Sequence, residues 1–264
     1  MKQAILSLLP PGHPWREQIH WFDSIGSTNT YAKELARQGA PHGTVILAGS
    51  QSAGRGRMGR SFHSPEGSGI YMSVILRPLC PASELMHLTC AAGSAMCDAV
   101  ETVCGSRPGI KWINDLVLHG RKIGGILTEL GFGAGASADY AVIGIGINCS
   151  QQPQDFPPEL RQIASSIGAA TGRPVSTALL TAAMLESLEA VCHDLLTRKA
   201  EIMDRYRSDC LTLGKQVQLH GSRTGSALAL DVDDDGGLLV RLEDGTVHTV
   251  QSGEVSVRGM YSYL

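Results

Sequence analysis

Three arginines and three glycines share one seven-residue stretch of this sequence, and their spacing is suited to binding an anion. The stretch reads Gly54-Arg55-Gly56-Arg57-Met58-Gly59-Arg60. Glycine lets the backbone bend closely around a ligand, and each guanidinium presents a planar fork of donors that matches a phosphate or a carboxylate. Residues 54–60, the arginine loop, are therefore predicted to bind an anion. A solvated basic loop is the alternative for this segment taken alone.

The same glycines match G-x-G-x-x-G, the spacing of a dinucleotide-binding loop. That loop leads directly into a helix, whose N-terminus holds the pyrophosphate. Here Pro65, Gly67 and Gly69 follow the loop and forbid a helix. The chemistry of the arginine loop must therefore come from its side chains and not from a helix dipole.

The composition of the whole chain limits the partners. The 22 Lys and Arg against 25 Asp and Glu give a net charge of −3, which lacks the positive field of a nucleic-acid-binding protein. No apolar run reaches the roughly 18 residues of a membrane span, and the apolar start is too short for a signal peptide. The 7 cysteines include no C-x-x-C pair, so neither a disulfide framework nor a zinc site is expected. We expect a cytoplasmic protein with no DNA and no membrane partner.

The elements that must position the loop predict an α+β body. Strands are expected at residues 19–23, 44–48, 70–76, 110–113, 116–118, 123–130 and 141–147, and helices at 30–38, 83–103, 176–197 and 198–209. The last four of these strands follow one another too closely for crossover helices, which predicts a mixed, mostly antiparallel sheet packed by helices. After residue 213, five short strands with Gly- and Asp-rich turns predict a small SH3-like β-barrel. We place the domains at 1–211 and 212–264.

Further motifs make a family resemblance specific. They are Ser27-Thr28-Asn29, Gln51 with the arginine loop, Lys111-Trp112 with Asn114-Asp115, Lys122 with Gly125-Ile126-Leu127, and Gly144 with Gly146-Ile147-Asn148. In order and spacing these resemble the catalytic domain of biotin protein ligases, whose fold is like that of class II aminoacyl-tRNA synthetases. Residues 253–258 look like the strand that closes the C-terminal barrel of that family. The segment before Ser27 is too short for the DNA-binding domain of some members, so the chain resembles the monofunctional class.

The resemblance implies a two-step reaction. Biotin and ATP, with Mg²⁺, give biotinyl-5′-AMP, and biotin then passes to a lysine of a biotin carboxyl carrier domain of acetyl-CoA carboxylase or a related carboxylase. By resemblance, residues 1–211 bind biotin and ATP, and Lys111 and Arg57 are the catalytic pair. The biotin-binding residues implied are Ser27, Thr28, Asn29, Gln51, Arg55, Gly56, Arg57 and Lys111.

The nucleotide-binding residues implied are Phe62, Asn148 and Arg258. Phe62 stands where many members have a tryptophan that stacks on adenine, and Ile113 stands where a proline is usual. The family also implies a possible homodimer. No metal ligands are implied by the sequence itself.

Two other functions remain open at this level. Lipoate protein ligases share the fold and the adenylation chemistry, although they lack this arrangement of Gly-Arg-Gly-Arg. The arginine loop with a small barrel is also compatible with a non-catalytic module that binds RNA or peptides. The net charge of −3 and the lack of aromatic residues among the basic ones argue against that module.

Overall fold

The computed structural model of the chain describes residues 1–133, 137–221 and 224–251, and also the backbone of residues 255–259. The helices in this part are α1 (Lys2–Leu8), α2 (Thr28–Arg37), α3 (Leu88–Cys104), α4 (Ile167–Thr171), α5 (Thr177–His193) and α6 (Lys199–Asp209). The strands are β1 (Ile19–Phe22), β2 (Thr44–Ala48), β3 (Gly69–Leu76), β4 (Gly109–Lys111), β5 (Asp115–Leu118), β6 (Arg121–Phe132), β7 (Ala138–Asn148), β8 (Gln216–Gly221), β9 (Gly225–Val232), β10 (Leu238–Leu242), β11 (Val247–Val250) and β12 (Val255–Gly259).

The main sheet has the strand order β1-β2-β3-β7-β6-β5-β4. Its pairs are antiparallel except for β1 and β2, which run parallel. The central strands β3 and β7 are aligned from Gly69↔Asn148 to Leu76↔Ala141, and nearly all of their residues are buried. The mixed, mostly antiparallel sheet predicted from the sequence is confirmed.

Helices cover the two faces of this sheet unequally. One face packs on α3 and α5 in a large core that includes Met96, Ile126 and Leu188. The other face packs on α2 alone, where Ala32 and Val142 belong to a small separate core. Because side chains alternate along a strand, the β7 residues beyond Val142 with the same parity, residues 144, 146 and 148, also lie on the α2 face. This face is the one that carries the site.

The second sheet is small and has the order β11-β10-β9-β8-β12, with every recorded pair antiparallel. Its five strands correspond to the five predicted after residue 213. Buried residues such as Leu219 and Val240 join the large core of the main sheet. The backbone of Arg258 lies in β12 opposite Gln218, whereas its side chain is outside the described part. The domain boundary at 211/212 stays a prediction.

Several elements differ from expectation, among them the short helix α4, which was not predicted, and the strand predicted at 110–113, which ends at Lys111. The helix predicted over 83–103 is interrupted, because a 3₁₀ turn at Ala82–Leu85 precedes α3, which begins only at Leu88. His87 sits at this break, fully buried, with its Nε2 3.0 Å from the carbonyl oxygen of Leu195. The helix α1, which packs on α5, was not predicted. No helix within the described residues is both long enough and apolar enough to cross a membrane.

We expect Leu188→Ala to lower the free energy of unfolding by about 2–5 kcal/mol, because it leaves a cavity in the core between α5 and α3. Leu188 is 0% exposed. The matched control is Leu179→Ala in the same helix, where the side chain is 42% exposed and the expected change is within about 0.5 kcal/mol. Urea unfolding measures both. Equal losses in the two variants would contradict this packing.

Candidate functional site

A cavity of about 240 Å³ lies on the α2 face of the main sheet. Its walls come from the N-terminus of α2, the arginine loop, residues 112–115, strands β6 and β7, and residues 156–164. Two of the strand residues that line it are glycines of β7, Gly144 and Gly146. The cavity is therefore enclosed by loops and by one helix end over a floor of sheet.

Neutral polar groups surround the N-terminus of α2. The hydroxyl of Ser27 caps the helix by accepting from the backbone N–H of Thr30 at 3.4 Å. The side-chain oxygen of Gln51 accepts from the backbone N–H and the hydroxyl of Thr28 at 2.8 and 3.1 Å. The Gln51 amide nitrogen donates to Ser64 at 2.9 Å. This end of the cavity therefore offers hydrogen-bond donors and acceptors without net charge.

Ser73 on β3 links Thr28 to Asn29. Its hydroxyl oxygen lies 2.8 Å from the hydroxyl oxygen of Thr28 and 2.6 Å from the side-chain oxygen of Asn29. Each hydroxyl has one proton, so Ser73 and Thr28 have two protons for three contacts, the third being Thr28 to Gln51. One of the three contacts therefore lacks a proton, whereas Gln51 keeps its hydrogen bond from the Thr28 backbone in either arrangement.

Glu129 on β6 holds Asn29 from the other side. The Asn29 amide nitrogen donates to Glu129 at 3.0 Å and to the carbonyl of Leu127 at 3.2 Å. Glu129 also contacts Lys33 at 2.7 Å and Arg55 at 3.8 Å. Burial acts to raise the pKa of Glu129, but the hydrogen bonds from Lys33 and Asn29 and the charges of Lys33 and Arg55 lower it below its ordinary value. An ionised Glu129 thus ties α2 to the base of the arginine loop.

Two glycines of β7 are required by what packs on them. A Cβ at Gly144 would lie 1.9 Å from the side-chain oxygen of Asn29, and one at Gly146 would lie 2.5 Å from the ring of Phe62. Real Cβ atoms do not approach other atoms this closely. Asn29 and Phe62 can therefore lie flat on the sheet only because both positions lack a side chain.

The arginine loop folds back on itself as a narrow hairpin. Arg55 and Ser61 form an isolated antiparallel bridge, and the backbone N–H of Gly56 donates to the carbonyl of Arg60 at 2.7 Å. A 3₁₀ turn at Arg57–Gly59 makes the tip, where Met58 has the left-handed φ of 56° and is 61% exposed. Arg55, Arg57 and Arg60 of this loop all line the cavity, and Arg57 is the least exposed of the three.

Arg57 reaches the wall formed by residues 112–115. Its Nη1 donates to the side-chain oxygen of Asn114 at 2.8 Å, and the Asn114 amide nitrogen donates to the carbonyl of Ile126 at 3.0 Å. Burial lowers the pKa of Arg57, and the charge of Asp115 opposes that effect. The guanidinium is thus a partly desolvated cation, which interacts more strongly with an anion than a cation in bulk water does.

Lys122 supplies a second cation on the same wall. Its Nζ lies 2.5 Å from a carboxylate oxygen of Asp115, and both side chains line the cavity. The two residues belong to adjacent strands, β6 and β5. A compact ammonium held by a carboxylate keeps its position when the site fills.

Lys111, the predicted catalytic lysine, lies next to the cavity without lining it. It ends the edge strand β4 and is buried, with a relative exposure of 9%. It pairs in register with Asp115 of β5, which does line the cavity. The next residue, Trp112, does line the cavity, and the peptide bond between Trp112 and Ile113 is cis.

The far end of the cavity is apolar. Phe156, Leu160, Ile163 and Ala164 form this end, and the segment is fastened to Lys122 by two backbone hydrogen bonds of 2.8 Å, one to Ile163 and one from Ser165. The Asn148 amide nitrogen donates to the carbonyl of Ser165 at 3.0 Å.

Of the residues predicted for the site, nine line the cavity: Ser27, Thr28, Asn29, Gln51, Arg55, Gly56, Arg57, Phe62 and Asn148. Lys111 does not, and the Arg258 side chain lies outside the described part. No roles were predicted for Lys122, Asp115 and Asn114, although each belongs to one of the family motifs. Residues 156–164 were not predicted either, and their apolar residues in a proline-rich stretch were the available signal.

The arrangement is suited to an elongated, anionic ligand. One end is neutral and polar, the middle has four cationic residues (Arg55, Arg57, Arg60 and Lys122) against the single carboxylate of Asp115, and the far end is apolar. Among the described residues there is no group of three or more His, Cys, Asp or Glu that could hold a metal ion.

Comparison with known proteins gives consistent results. A model of the biotin/lipoate A/B protein ligase family matches residues 21–148, and a model of the biotin protein ligase C-terminal domain matches residues 212–258. The chain is 37% identical to the bifunctional ligase/repressor BirA of Bacillus subtilis over 248 residues, which are 91% of this chain and 74% of that protein. It is 31% identical to the biotin–[acetyl-CoA-carboxylase] ligase of Mycobacterium tuberculosis, covering 94% of this chain and 91% of that one.

A solved structure is also similar. The biotin protein ligase from Aquifex aeolicus, in complex with biotin and ATP, superposes with a TM-score of 0.78 and 28% sequence identity, covering 92% of this chain and 99% of that chain.

We expect Glu129→Gln to remove a pH-dependent contribution to stability. Because folding lowers the pKa of Glu129, the carboxylate stabilises the fold above its unfolded pKa of about 4.3, and this contribution is lost as the pH falls through the folded-state value. Urea unfolding between about pH 7 and pH 3 should therefore give wild type a higher free energy of unfolding than Glu129→Gln at neutral pH, and this difference should disappear in acid.

The control is Glu34→Gln on the exposed side of α2, which changes the net charge equally. A gap between wild type and Glu129→Gln that stays constant or widens toward acid pH would contradict the expectation.

Proposed function

The chain belongs to the biotin protein ligase family, and from this premise we propose that its cavity joins biotin to ATP and then passes the biotin to a lysine of a carrier domain. The observation that carries the proposal is the order of environments along the cavity: neutral polar groups, then four cationic residues, then an apolar end. Biotinyl-5′-AMP has the same order, with a ureido ring, an acyl phosphate and a base.

We assign the ureido ring of biotin to the N-terminus of α2. A urea offers two N–H donors and one acceptor, which suits the hydroxyl and amide groups of Ser27, Thr28, Asn29 and Gln51. The backbone of Arg55 and Gly56 completes this end of the proposed site.

The first step needs charge stabilisation more than it needs a base. An oxygen of the biotin carboxylate attacks the α-phosphorus of ATP, a new C–O–P linkage forms, and the bond to pyrophosphate breaks. The carboxylate is already ionised at neutral pH, so the obstacle is its repulsion by the triphosphate. Arg57 and Lys122, both on the cavity wall, are fixed cations that offset this repulsion.

We therefore assign the reacting centre to Lys122 instead of Lys111. Lys122 lines the cavity beside Asp115, whereas Lys111 is buried at the edge strand. Lys111 then has a supporting role in the wall that includes Trp112.

The second step transfers the acyl group. The lysine amine of the carrier attacks the biotinyl carbonyl, the bond to AMP breaks, and the amine loses a proton. The mixed anhydride reacts with any amine or with water, so the arginine loop must keep it enclosed until the carrier arrives. Arg57 is the loop residue best placed for this, because it already crosses to Asn114.

For the nucleotide we propose that Phe62 packs against adenine and that Asn148 lies beside it, with the apolar residues 156–164 as the opposite wall. Arg258 is proposed for the phosphates. Mg²⁺ is proposed to arrive with ATP, since Mg²⁺ typically binds through phosphates, waters and one or two carboxylates. Asp115 is the one carboxylate among the described lining residues.

The proposed carrier is the biotin carboxyl carrier domain of acetyl-CoA carboxylase or a related carboxylase. This is supported by the relative from Mycobacterium tuberculosis, whose name specifies that carboxylase. We propose a cytoplasmic location, which is supported by seven cysteines that are all free thiols. The net charge of −3 argues against a DNA partner. A homodimer stays a prediction.

The test is the exchange of radiolabelled pyrophosphate into ATP, which measures reversible adenylate formation without a carrier. Exchange should depend on biotin and should be absent with lipoate. Exchange that depends on lipoate would indicate a lipoate-type ligase, and no exchange with either acid would overturn the proposed reaction.

We predict that Lys122→Ala lowers the exchange rate by about 10²–10³-fold, because it removes a preorganised charge at the reacting centre. Lys111→Ala is the matched variant and should retain substantially more activity. Circular dichroism checks that both variants are folded. A severe loss confined to Lys111→Ala would show that the sequence-based assignment is correct and that the assignment to Lys122 is not.

We also predict that Arg57→Gly releases its intermediate early. The change removes a charge-assisted contact worth about 1.5–3 kcal/mol, which corresponds to about one to two decades in dissociation rate. Released biotinyl-5′-AMP should label lysines of a bystander protein such as serum albumin, as detected on an avidin blot. Adenylate formation with no labelling above the wild-type background would contradict this role.

A further inference from the structure

Residues 112–115, called here the bridging segment, lie between the two cations of the site and the second sheet. On the cation side, Asn114 accepts the hydrogen bond from Arg57 and Asp115 holds Lys122. On the other side, the segment contacts residues far away in the sequence. Whatever fixes the bridging segment therefore also fixes the positions of both cations.

Three hydrogen bonds hold the segment from that other side. The backbone N–H of Trp112 donates to the hydroxyl of Thr212 at 2.9 Å, and the indole N–H of Trp112 donates to the carbonyl of Gly236 at 2.9 Å. The hydroxyl of Tyr206 donates to the carbonyl of Ile113 at 3.2 Å. The bond to Gly236 is the one that reaches the second sheet, in the turn between β9 and β10.

That turn is rigid within itself. A carboxylate oxygen of Asp233 accepts from the backbone N–H groups of Asp235 at 3.0 Å and Gly237 at 2.7 Å. The backbone of Asp233 and Gly237 is also joined at 2.9 Å. A turn braced by its own side chain keeps its carbonyls in fixed directions.

The turn is also fixed relative to α6. Lys199 contacts Asp235 at 2.5 Å, and Arg207 donates to the carbonyl of Val232 at 2.7 Å. Gly236 adopts a left-handed φ of +84°, and a Cβ there would lie 3.0 Å from the sulfur of Cys90 and 3.3 Å from the side chain of Ile113. The turn is thus seated directly against the bridging segment.

We propose that the turn at residues 233–237 is a positioning element for the reaction: the Gly236 carbonyl, acting through the Trp112 indole, holds the bridging segment so that Arg57 and Lys122 face the reacting phosphate. The neutral polar end, at the N-terminus of α2, has no contact in this chain of bonds. A disturbance at Gly236 therefore affects the rate of adenylation and leaves the binding of biotin unchanged. This inference rests on the proposed function.

The primary variant is Gly236→Ala, which adds a Cβ against the bridging segment without altering a cavity residue. Gly245→Ala is its matched control, because Gly245 has a similar φ of +85° in the next turn of the same sheet and open space around it. Both variants carry the same backbone strain. Only Gly236→Ala presses on Ile113 and Cys90.

A second pair tests the hydrogen bond itself. Trp112→Phe keeps an aromatic ring and removes the indole N–H. Trp21→Phe is the control. Trp21 lies on the edge strand β1 and does not line the cavity, and its indole N–H donates to Asp23 at 2.9 Å. Unfolding midpoints confirm that each variant is folded before kinetics are measured.

The measurements are kcat for biotinyl-5′-AMP formation and the biotin Kd by calorimetry without ATP. For Gly236→Ala and Trp112→Phe we expect kcat to fall about 10–100-fold, since small misplacements of catalytic groups have effects of this size. The biotin Kd of Gly236→Ala should stay within about 3-fold of the wild-type value, which is a change in binding free energy of under about 0.7 kcal/mol. The double variant Gly236→Ala/Trp112→Phe should be no slower than the slower of the two single variants, because both substitutions disrupt the same contact between Trp112 and Gly236.

A wild-type kcat in either variant would overturn the proposal. So would parallel changes in kcat and Kd for Gly236→Ala, or an equal loss in Gly245→Ala. These outcomes differ from failure of the proposed function, in which the wild-type protein forms no biotinyl-5′-AMP.

Discussion

The site depends on holding two cations, Arg57 and Lys122, in fixed positions on one wall of the cavity. Burial lowers the pKa of Arg57, which is the thermodynamic sign that the guanidinium has lost part of its hydration. The side-chain oxygen of Asn114 compensates for part of that loss by accepting a hydrogen bond from Arg57 at 2.8 Å, and the carboxylate of Asp115 holds Lys122 at 2.5 Å. Cations stabilised in this way do not need to reorganise when an anion enters, and that is the property on which charge stabilisation in a reaction depends.

The rest of the fold can be understood from this constraint. Asn114 and Asp115 follow each other directly in the chain, so one short segment fixes both cations. The segment is held by helix α6 and the second sheet on one side and by β6 on the other. The neutral end of the cavity is built separately, from the N-terminus of α2 and β3, and Glu129 links it to Arg55. Recognition of the ligand and stabilisation of charge thus rest on different elements.

Local patterns were enough to predict much of this. The strand at 44–48 follows from a short run of apolar and β-branched residues, and the five short strands after residue 213 follow from the turn residues between them. Nine of the predicted site residues line one cavity. Local patterns do not show which of the predicted residues share one cavity. Lys111 and Lys122 lie on β4 and β6, which β5 separates, and of the two only Lys122 lines the cavity. Strand order is a property of the whole fold.

Other features are long-range by nature. The hydrogen bond from Trp112 to Gly236 joins residues 124 positions apart, and no periodicity or motif in the sequence predicts such a contact. Residues 156–164 were missed because their prolines look like an interruption of the pattern, although the apolar side chains between them form the end of the cavity. The break before α3 depends on the buried contact of His87 with Leu195.

The most direct test of the account is a crystal structure with a stable sulfamoyl analogue of biotinyl-5′-AMP. The account predicts the ureido ring within hydrogen-bond distance of Thr28 and Gln51, and the sulfamoyl group, which stands for the phosphate, between Arg57 and Lys122. An analogue bound with its sulfamoyl group beside Lys111, or away from both Arg57 and Lys122, would contradict it.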